Sequence, residues 1–203
     1  MEAEPDYREW LNQGGMAEPD PGSIEIRGER LLLRALRPEE IDQEWEAMRT
    51  ADPMTIASVP DEKAFRMRLR RSGRMIDGWL DLAIDLQGAS IGRIQTFVPP
   101  HQEPRPGEYD IGIALREDMR GKGYGREAVR LLTDWLFEHA DAQRVEAPTD
   151  PENIAMRTVF ERVGWELVRT QNDYGREWVV YAITRPRWVA VSGSESSAGS
   201  PRT

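Results

Sequence analysis

Residues 120–125 read Arg-Gly-Lys-Gly-Tyr-Gly and lie between an apolar segment, 109–115, and an amphipathic segment, 125–139. Three glycines within five positions let the backbone adopt positive φ and approach a ligand with no Cβ in the way. A helix that begins here presents free N–H groups and the positive end of its dipole. With the cationic side chains of Arg120 and Arg126 nearby, the segment predicts a binding site for a pyrophosphate.

The loop does not match the common nucleotide-binding fingerprints. Arg126 occupies the position of the third glycine in the pattern G-x-G-x-x-G, and no Gly-Lys-Ser/Thr ends the loop. At this point a glycine-rich turn that merely joins a strand to a helix remains an open alternative.

Hydrophobic periodicity around the loop predicts an α/β (α+β) domain with a mixed central sheet of about six or seven strands and about four flanking helices. Strands are predicted at 31–36, 79–86, 91–98, 109–115, 144–148, 165–169 and 177–184, and helices from Pro38 and at 62–71, 125–139 and 151–163. The folded domain is expected to span residues 24–190.

The two ends of the chain have a different composition. Residues 1–23 contain six acids and one base among prolines and glycines, which predicts a disordered acidic tail. Residues 191–203 are rich in serine and glycine and predict a second disordered tail. The acidic tail carries more than half of the formal net charge of −9, so the domain itself is only mildly acidic.

Composition also narrows the function classes. The chain has no cysteine, and its two histidines, His101 and His139, have no partner at ligand spacing, so no metal site is expected. No basic stripe with interleaved aromatic residues indicates nucleic-acid binding. No apolar run approaches the length of a membrane span or a secretory signal. We therefore expect a cytoplasmic protein without a nucleic-acid or membrane partner.

The motif Arg120-x-x-Gly123-x-Gly125 matches the Q/R-x-x-G-x-G/A signature of GNAT acetyltransferases, and residues 110–128 resemble the branch that includes the ribosomal-protein N-acetyltransferases RimJ and RimL. The resemblance implies a GNAT fold that binds acetyl-CoA as cosubstrate. It implies that loop amides hold the coenzyme pyrophosphate and that the preceding strand pairs with the pantetheine arm. The residues implied in these contacts are Ile113, Leu115, Arg120, Gly121, Lys122, Gly123, Tyr124, Gly125 and Arg126.

A second segment extends the resemblance. Asp150 and Pro151 predict a helix N-cap and first helical residue, and the family pattern N-x-x-S/A-x-x-x-Y/F-x-x-x-G-F/W continues through residues 153–165. By resemblance, Asn153 hydrogen-bonds the pantetheine or the acceptor region, and Phe160 packs beside the coenzyme. Met156 replaces the usual serine. Phe160 replaces the tyrosine that protonates the leaving thiolate in many relatives.

The reaction implied is transfer of an acetyl group to a primary amine, on a protein N-terminus or a small molecule. Asp110 and Glu108 are the candidates for the general base. Tyr174 and Tyr181 are weaker candidates for the acid. The alternative is a coenzyme A-binding module without catalysis, for which the replacements at positions 156 and 160 argue. Homodimers are common for this fold, but the sequence specifies none.

Overall fold

The computed structural model describes residues 22–49, 61–97, 105–173 and 175–198. Within these ranges the strands are β1 (Ile26–Arg27), β2 (Leu31–Arg34), β3 (Leu80–Leu86), β4 (Ala89–Phe97), β5 (Glu108–Leu115), β6 (Arg144–Thr149), β7 (Glu166–Asp173) and β8 (Arg176–Thr184). They form one sheet in the order β1-β2-β3-β4-β5-β6-β8-β7. Only β5 and β6 are parallel neighbours. The predicted mixed sheet is confirmed, with the short edge strand β1 in addition.

Five helices are described, together with a short 3-10 turn at Glu117–Met119. The helices are α1 (Pro38–Arg49), α2 (Glu62–Leu69), α3 (Tyr124–His139), α4 (Ile154–Arg162) and α5 (Arg185–Ala198). No helix of the described ranges is long and apolar enough to cross a membrane.

The two faces of the sheet carry different cores. On one face, α3 packs against apolar side chains of the central strands, such as Leu82 and Ile94. On the other face, α1 and α2 cover a smaller apolar cluster around Phe65 and Leu69. Successive side chains of a strand point to opposite faces, so every strand contributes to both sides of the molecule. The second face is the one on which Asp110 lies, as described below.

The face beneath α1 and α2 also contains buried ion pairs. Arg34 donates from Nε to Asp85 Oδ2 at 2.8 Å and from Nη2 to Glu40 Oε1 at 2.7 Å. Arg93 donates from Nη1 to Asp81 Oδ1 at 2.6 Å. All five side chains belong to buried residues. Buried charges are tolerated when they are paired, and here the pairs join β2 to β3, β3 to β4 and β2 to α1.

Helix α4 begins later than the sequence predicts. Asp150 is not its N-cap: Oδ1 of Asp150 accepts from the N–H of Glu152 at 2.8 Å, and its other oxygen pairs with Arg176. Asn153 is the N-cap instead, and its Oδ1 accepts from the N–H of Met156 at 3.1 Å. The prediction was wrong because the ion pair with Arg176 holds Asp150 in a turn before the helix.

The C-terminal helix α5 extends into the segment for which composition predicts a disordered tail from residue 191. Its first turns pack on the domain: Trp188 stacks on Phe137 with ring centroids 5.1 Å apart and donates from Nε1 to Asp134 Oδ1 at 2.6 Å. Arg185 donates to the carbonyl of Phe137 at 2.8 Å. These contacts give the helix a packed start that serine and glycine content does not reveal. The domain limits of 24 and 190 stay predictions.

Candidate active site

A cleft opens in the middle of the sheet between β5 and β6. The two strands pair over only three residues, from Glu108 opposite Arg144 to Asp110 opposite Glu146. Beyond Asp110, β5 keeps β4 as its single ladder partner in the described chain, while β6 continues along β8 to Thr149. The strands therefore separate, and one edge of β5 is left open over 111–115.

The backbone groups of Ile113 and Leu115 face this cleft. On the opposite edge, the N–H of Arg116 donates to the carbonyl of Ile91 in front of β4 at 3.0 Å. Along a strand, the N–H and C=O groups of successive residues point to alternate sides, so those of residues 113 and 115 point away from β4. Arg120 Nε donates to the Leu115 carbonyl from that side at 3.0 Å. An extended ligand in the cleft can therefore pair with β5 as another strand would.

The glycine loop lies at the end of the open edge. Gly121 and Gly123 have φ of 73° and 83°, and Gly123 is the N-cap of α3. A Cβ placed on Gly125 would lie 3.5 Å from Leu115 Cδ1, so the loop packs directly against the end of β5. None of the six backbone N–H groups of residues 121–126 donates a hydrogen bond within the described chain. Unpaired donors at the positive end of a helix suit an anion.

Arg30, which the sequence analysis missed, braces this loop. Its Nη1 donates to the carbonyl of Lys122 at 3.2 Å, and its guanidinium lies 4.8 Å from the ring centroid of Tyr124. Its Nε donates to Glu127 Oε2 at 2.8 Å. Burial would raise the pKa of Glu127, but hydrogen bonds from Arg30 and from the N–H of Leu31 lower it below its ordinary value. The β1–β2 turn thereby fixes the start of α3.

The cationic side chains predicted around the loop are solvent-facing. Arg120, Lys122 and Arg126 are all exposed. A cavity of about 490 Å³ follows the outer surface of α3, and its lining includes Arg126, Arg130 and Arg162. Guanidinium groups on the rim of a cavity beside the loop suit further phosphate contacts.

The two candidate bases have different surroundings. Both line a cavity of about 350 Å³ where β5 and β6 begin to separate. Glu108 is exposed and lies 3.3 Å from Arg105 in an ion pair. Asp110 is partly buried: burial, with Glu146 and Glu108 adding repulsion, raises its pKa to about 7 despite the opposing effect of Arg169 and Arg144. Asp110 is therefore the carboxyl group poised to exchange a proton near neutral pH.

Glu146 and Arg169 complete this cavity, and the sequence analysis missed both. Two nitrogens of Arg169 donate to the two oxygens of Glu146 at 2.8 and 2.6 Å, and Arg144 Nε donates at 2.6 Å. Burial would raise the pKa of Glu146, but these hydrogen bonds lower it. Glu146 is thus the charged member of the facing pair and Asp110 the titrating one. In the sequence, the indication of Glu146 was that it alternates with Arg144 along a predicted strand.

The second cofactor segment is partly occupied by structural contacts. The Oδ1 of Asn153 caps α4 with one of its two lone pairs, and its amide N–H groups stay available for a ligand. Phe160 is 2% exposed and stacks between Trp165 and Tyr181, at centroid distances of 5.0 and 5.4 Å. Its ring belongs to the domain core.

Of the two tyrosines considered as general acids, the structure describes Tyr181. The hydroxyl of Tyr181 is buried, donates to Glu161 Oε1 at 2.7 Å and lies 3.3 Å from Arg157 Nε. Tyr174 and His101 lie outside the described residues. Across the ranges that are described, no three His, Asp or Glu side chains are grouped to hold a metal ion.

Comparison with known proteins identifies the family. Residues 30–166, more than half of the chain, match the Acetyltransferase (GNAT) domain. The chain belongs to this family, the one that the loop motif predicts.

Individual relatives are distant. The chain is 28% identical over 86 residues to the uncharacterized N-acetyltransferase YnaD of Bacillus subtilis (strain 168), which is 39% of this chain and 51% of that protein. The chain thus spans about half the length of that relative. It spans less than half the length of each of the next two curated relatives.

Solved structures agree with the fold. A structure described as a ribosomal-protein-serine acetyltransferase from Vibrio cholerae superposes with a TM-score of 0.60 at 16% identity, covering 80% of this chain and 98% of that one. The acetyltransferase AAC(6')-Ib in complex with ribostamycin and coenzyme A gives 0.62 at 19% identity, covering 79% and 96%. At these identities the likeness establishes the fold alone.

Proposed function

We propose that this chain transfers the acetyl group of acetyl-CoA to a primary amine by direct attack of the amine on the thioester. The observation that supports this most strongly is the open edge of β5, which ends beside six unpaired loop amides. An extended arm that ends in a pyrophosphate matches this arrangement: the arm pairs with the strand and the phosphates meet the amides.

Each half of the cosubstrate has a proposed set of partners. The N–H groups of residues 121–126 hold the pyrophosphate, with Arg120, Lys122 and Arg126 adding charge. Ile113 and Leu115 pair with the pantetheine arm through their backbone, and the amide N–H groups of Asn153 approach it from the opposite wall. Phe160 supports that wall from within the core and makes no contact of its own.

Acetyl-CoA supplies an activated acyl group, and the protein supplies the general base that accepts the proton of the amine. An amine with a pKa of about 10.4 is neutral in roughly one molecule in a few thousand at pH 7. Asp110, whose pKa is raised to about 7, would accept the proton that the nitrogen loses as the C–N bond forms. The N–H of Ile113, which is nearer to Asp110 along the strand than that of Leu115, would stabilise the negative charge on the carbonyl oxygen, while the Ile113 carbonyl and Leu115 remain to pair with the arm.

The leaving group needs little help. A thiol with a pKa of about 8.5 leaves readily as the thiolate and takes a proton from solvent afterwards. A phenylalanine at position 160 is therefore compatible with turnover, which answers the argument for a non-catalytic module.

Two acceptor classes follow from the family. The resemblance of residues 110–128 to the RimJ and RimL branch favours a protein N-terminus. The AAC(6')-Ib complex with ribostamycin shows that the same fold can take an aminoglycoside in another protein. The proposed acceptor is a primary amine, and a panel of acceptors distinguishes the two classes.

The test combines coenzyme A release from acetyl-CoA with calorimetric binding of acetyl-CoA to the full chain, over a panel of peptides, amino acids and aminoglycosides. Gly121→Ala with Gly123→Ala should weaken acetyl-CoA binding at least about tenfold, because Ala at positive φ costs about 1–2 kcal/mol per residue and disturbs the loop amides. Binding without turnover on any acceptor would favour the coenzyme A-binding module. No binding of acetyl-CoA would reject the proposal.

A matched control isolates the loop from simple backbone strain. Gly88 and Gly175 also have positive φ, 91° and 75°, and a Cβ at either position meets nothing within 4 Å. Gly88→Ala with Gly175→Ala should lower stability by a similar amount and leave acetyl-CoA binding unchanged. Equal loss of binding in both double variants would contradict a specific role of the loop.

A further inference from the structure

A second cavity, of about 450 Å³, lies between α2 and the start of β3. Its lining includes three arginines, Arg68, Arg71 and Arg74, together with Met67 and Trp79. Arg68 turns toward the sheet, where its guanidinium lies 5.0 Å from the ring centroid of Trp79.

This arginine-lined cavity opens on the same face of the sheet as Asp110. Asp81, in its lining, pairs across strands with Gln95, and Gln95 pairs with Gly112, two residues from Asp110. The ring of Trp79 lies 6.3 Å from that of Phe97, which is directly opposite Asp110 on β5. Two strand spacings, about 10 Å, therefore separate the arginine-lined cavity from the cleft.

The lining of this cavity carries three arginines against two aspartates, Asp77 and Asp81, so its positive charge is only partly balanced. Asp81 is shared: it accepts from Arg93 at 2.6 Å and lies 3.2 Å from Arg68 Nε. That Nε is buried and donates no hydrogen bond with proper geometry to any described residue. Burial lowers the pKa of Arg68, and the negative charge of Asp81 reverses this shift only in part. Arg71 is exposed, and its guanidinium makes no hydrogen bond or ion pair with any described residue.

The cavity around Asp110 has the opposite character. Glu108, Asp110 and Glu146 line it together with Arg105 and Arg169. Carboxylates at the cleft suit an amine, whereas guanidinium groups two strands away suit an anion, which they bind with paired N–H donors. Between the two, Trp79 and Phe97 provide an aromatic surface.

We infer that the acceptor is a primary amine that carries an anionic group, a carboxylate or a phosphate, about 10 Å from its amino nitrogen, held by Arg68 and Arg71 with the intervening carbon chain on Trp79. The inference rests on the proposed function, because it assigns the amine to the cleft at Asp110. It disfavours polycationic acceptors, which would place positive charge against the arginines.

The experiment uses the full chain loaded with acetyl-CoA and primary amines in matched sets: a terminal carboxylate, the corresponding phosphate and the neutral carboxamide. Affinity is measured by calorimetry, and kcat/KM by coenzyme A release. The anionic members should exceed the carboxamide by about tenfold or more, since a hydrogen-bonded charge contributes about 1.5–3 kcal/mol, and each 1.4 kcal/mol is tenfold. The carboxylate and phosphate arms identify which anion is preferred.

Arg71→Gln should reduce that preference to near unity and leave the carboxamide and acetyl-CoA affinities unchanged. Arg27→Gln is the control, because Arg27 is an exposed arginine on the edge strand β1, paired with Glu25. The inference is overturned if anionic and neutral members bind with equal affinity, or if neither binds detectably at millimolar concentration. It is also overturned if the preference for the anion survives Arg71→Gln. If the parent chain does not bind acetyl-CoA, the proposed function is rejected instead.

Discussion

The two halves of the candidate site are built from different chemical groups. The proposed coenzyme half, residues 111–126, presents backbone N–H and C=O groups along β5 and the glycine loop. The proposed acceptor half, beneath α1 and α2, presents side chains that are held by buried ion pairs such as Arg93 with Asp81. A backbone site depends on local conformation, whereas a side-chain site depends on contacts between distant segments. The two halves should therefore fail in different ways when they are mutated.

The largest effect is expected from Asp110→Asn. Loss of a general base typically reduces kcat/KM by about 10²–10⁴, and the acid limb of the pH–rate profile, with an apparent pKa of about 7, should disappear. Acetyl-CoA affinity should stay unchanged, because the backbone site is untouched. Glu108→Gln is the matched control on the same strand and should keep the limb. A profile that Asp110→Asn leaves unaltered would remove Asp110 from the mechanism.

The same variant makes a prediction for stability. The fold raises the pKa of Asp110 from its ordinary value near 4 to about 7. The folded chain then binds a proton that the unfolded chain has lost, so the contribution of this carboxyl to stability falls as pH rises toward and through 7. Asp110→Asn should raise Tm above pH 7 by several degrees and have no such effect at pH 4.

Arg93→Met tests the acceptor half. It leaves Glu44 without Arg93 and Asp81 with Arg68 alone, and breaking a buried pair costs up to about 3–5 kcal/mol in the free energy of unfolding. Urea unfolding should show this loss, while acetyl-CoA binding to the folded fraction stays intact. Arg49→Met, in an exposed pair with Glu46, should cost less than about 1 kcal/mol. Comparable losses in the two variants would contradict the distinction between the halves.

The smallest effect is expected from Arg169→Gln. Arg169 lowers the pKa of Asp110 against the larger effect of burial, so its removal should move the acid limb to higher pH by less than about one unit. The pH dependence of kcat/KM measures this shift directly. Arg27→Gln should leave the limb in place. A shift to lower pH would show that the proton is not held at Asp110.

The coenzyme half was the predictable half. The open strand, the loop and its helix lie within one continuous segment. The glycines in this segment directly predict the backbone conformation of the loop. The order of the predicted strands and helices was likewise confirmed, since long amphipathic segments carry strong periodicity. The helix start at Asn153 was missed because an ion pair from another strand, Arg176 to Asp150, decides it.

The rest depends on contacts between remote residues. Arg30 and Glu127 are far apart in the chain but share hydrogen bonds that fix the loop. The raised pKa of Asp110 depends on Glu146 and Arg169, which come from two later strands. Composition alone also could not show that Trp188 seats α5 on Phe137. In each case one partner gives no signal without the other.

The strand order has a consequence for synthesis on the ribosome. β8 is the last strand of the described chain, yet it lies between β6 and β7 and pairs with both along nearly its whole length. Until residues 176–184 have emerged, β6, which forms a wall of the cleft, lacks its antiparallel partner, and β7 lacks the one strand with which it pairs in the described sheet. The nascent chain can thus assemble β1 to β5 early, but it completes its cleft only after residues 176–184 have emerged.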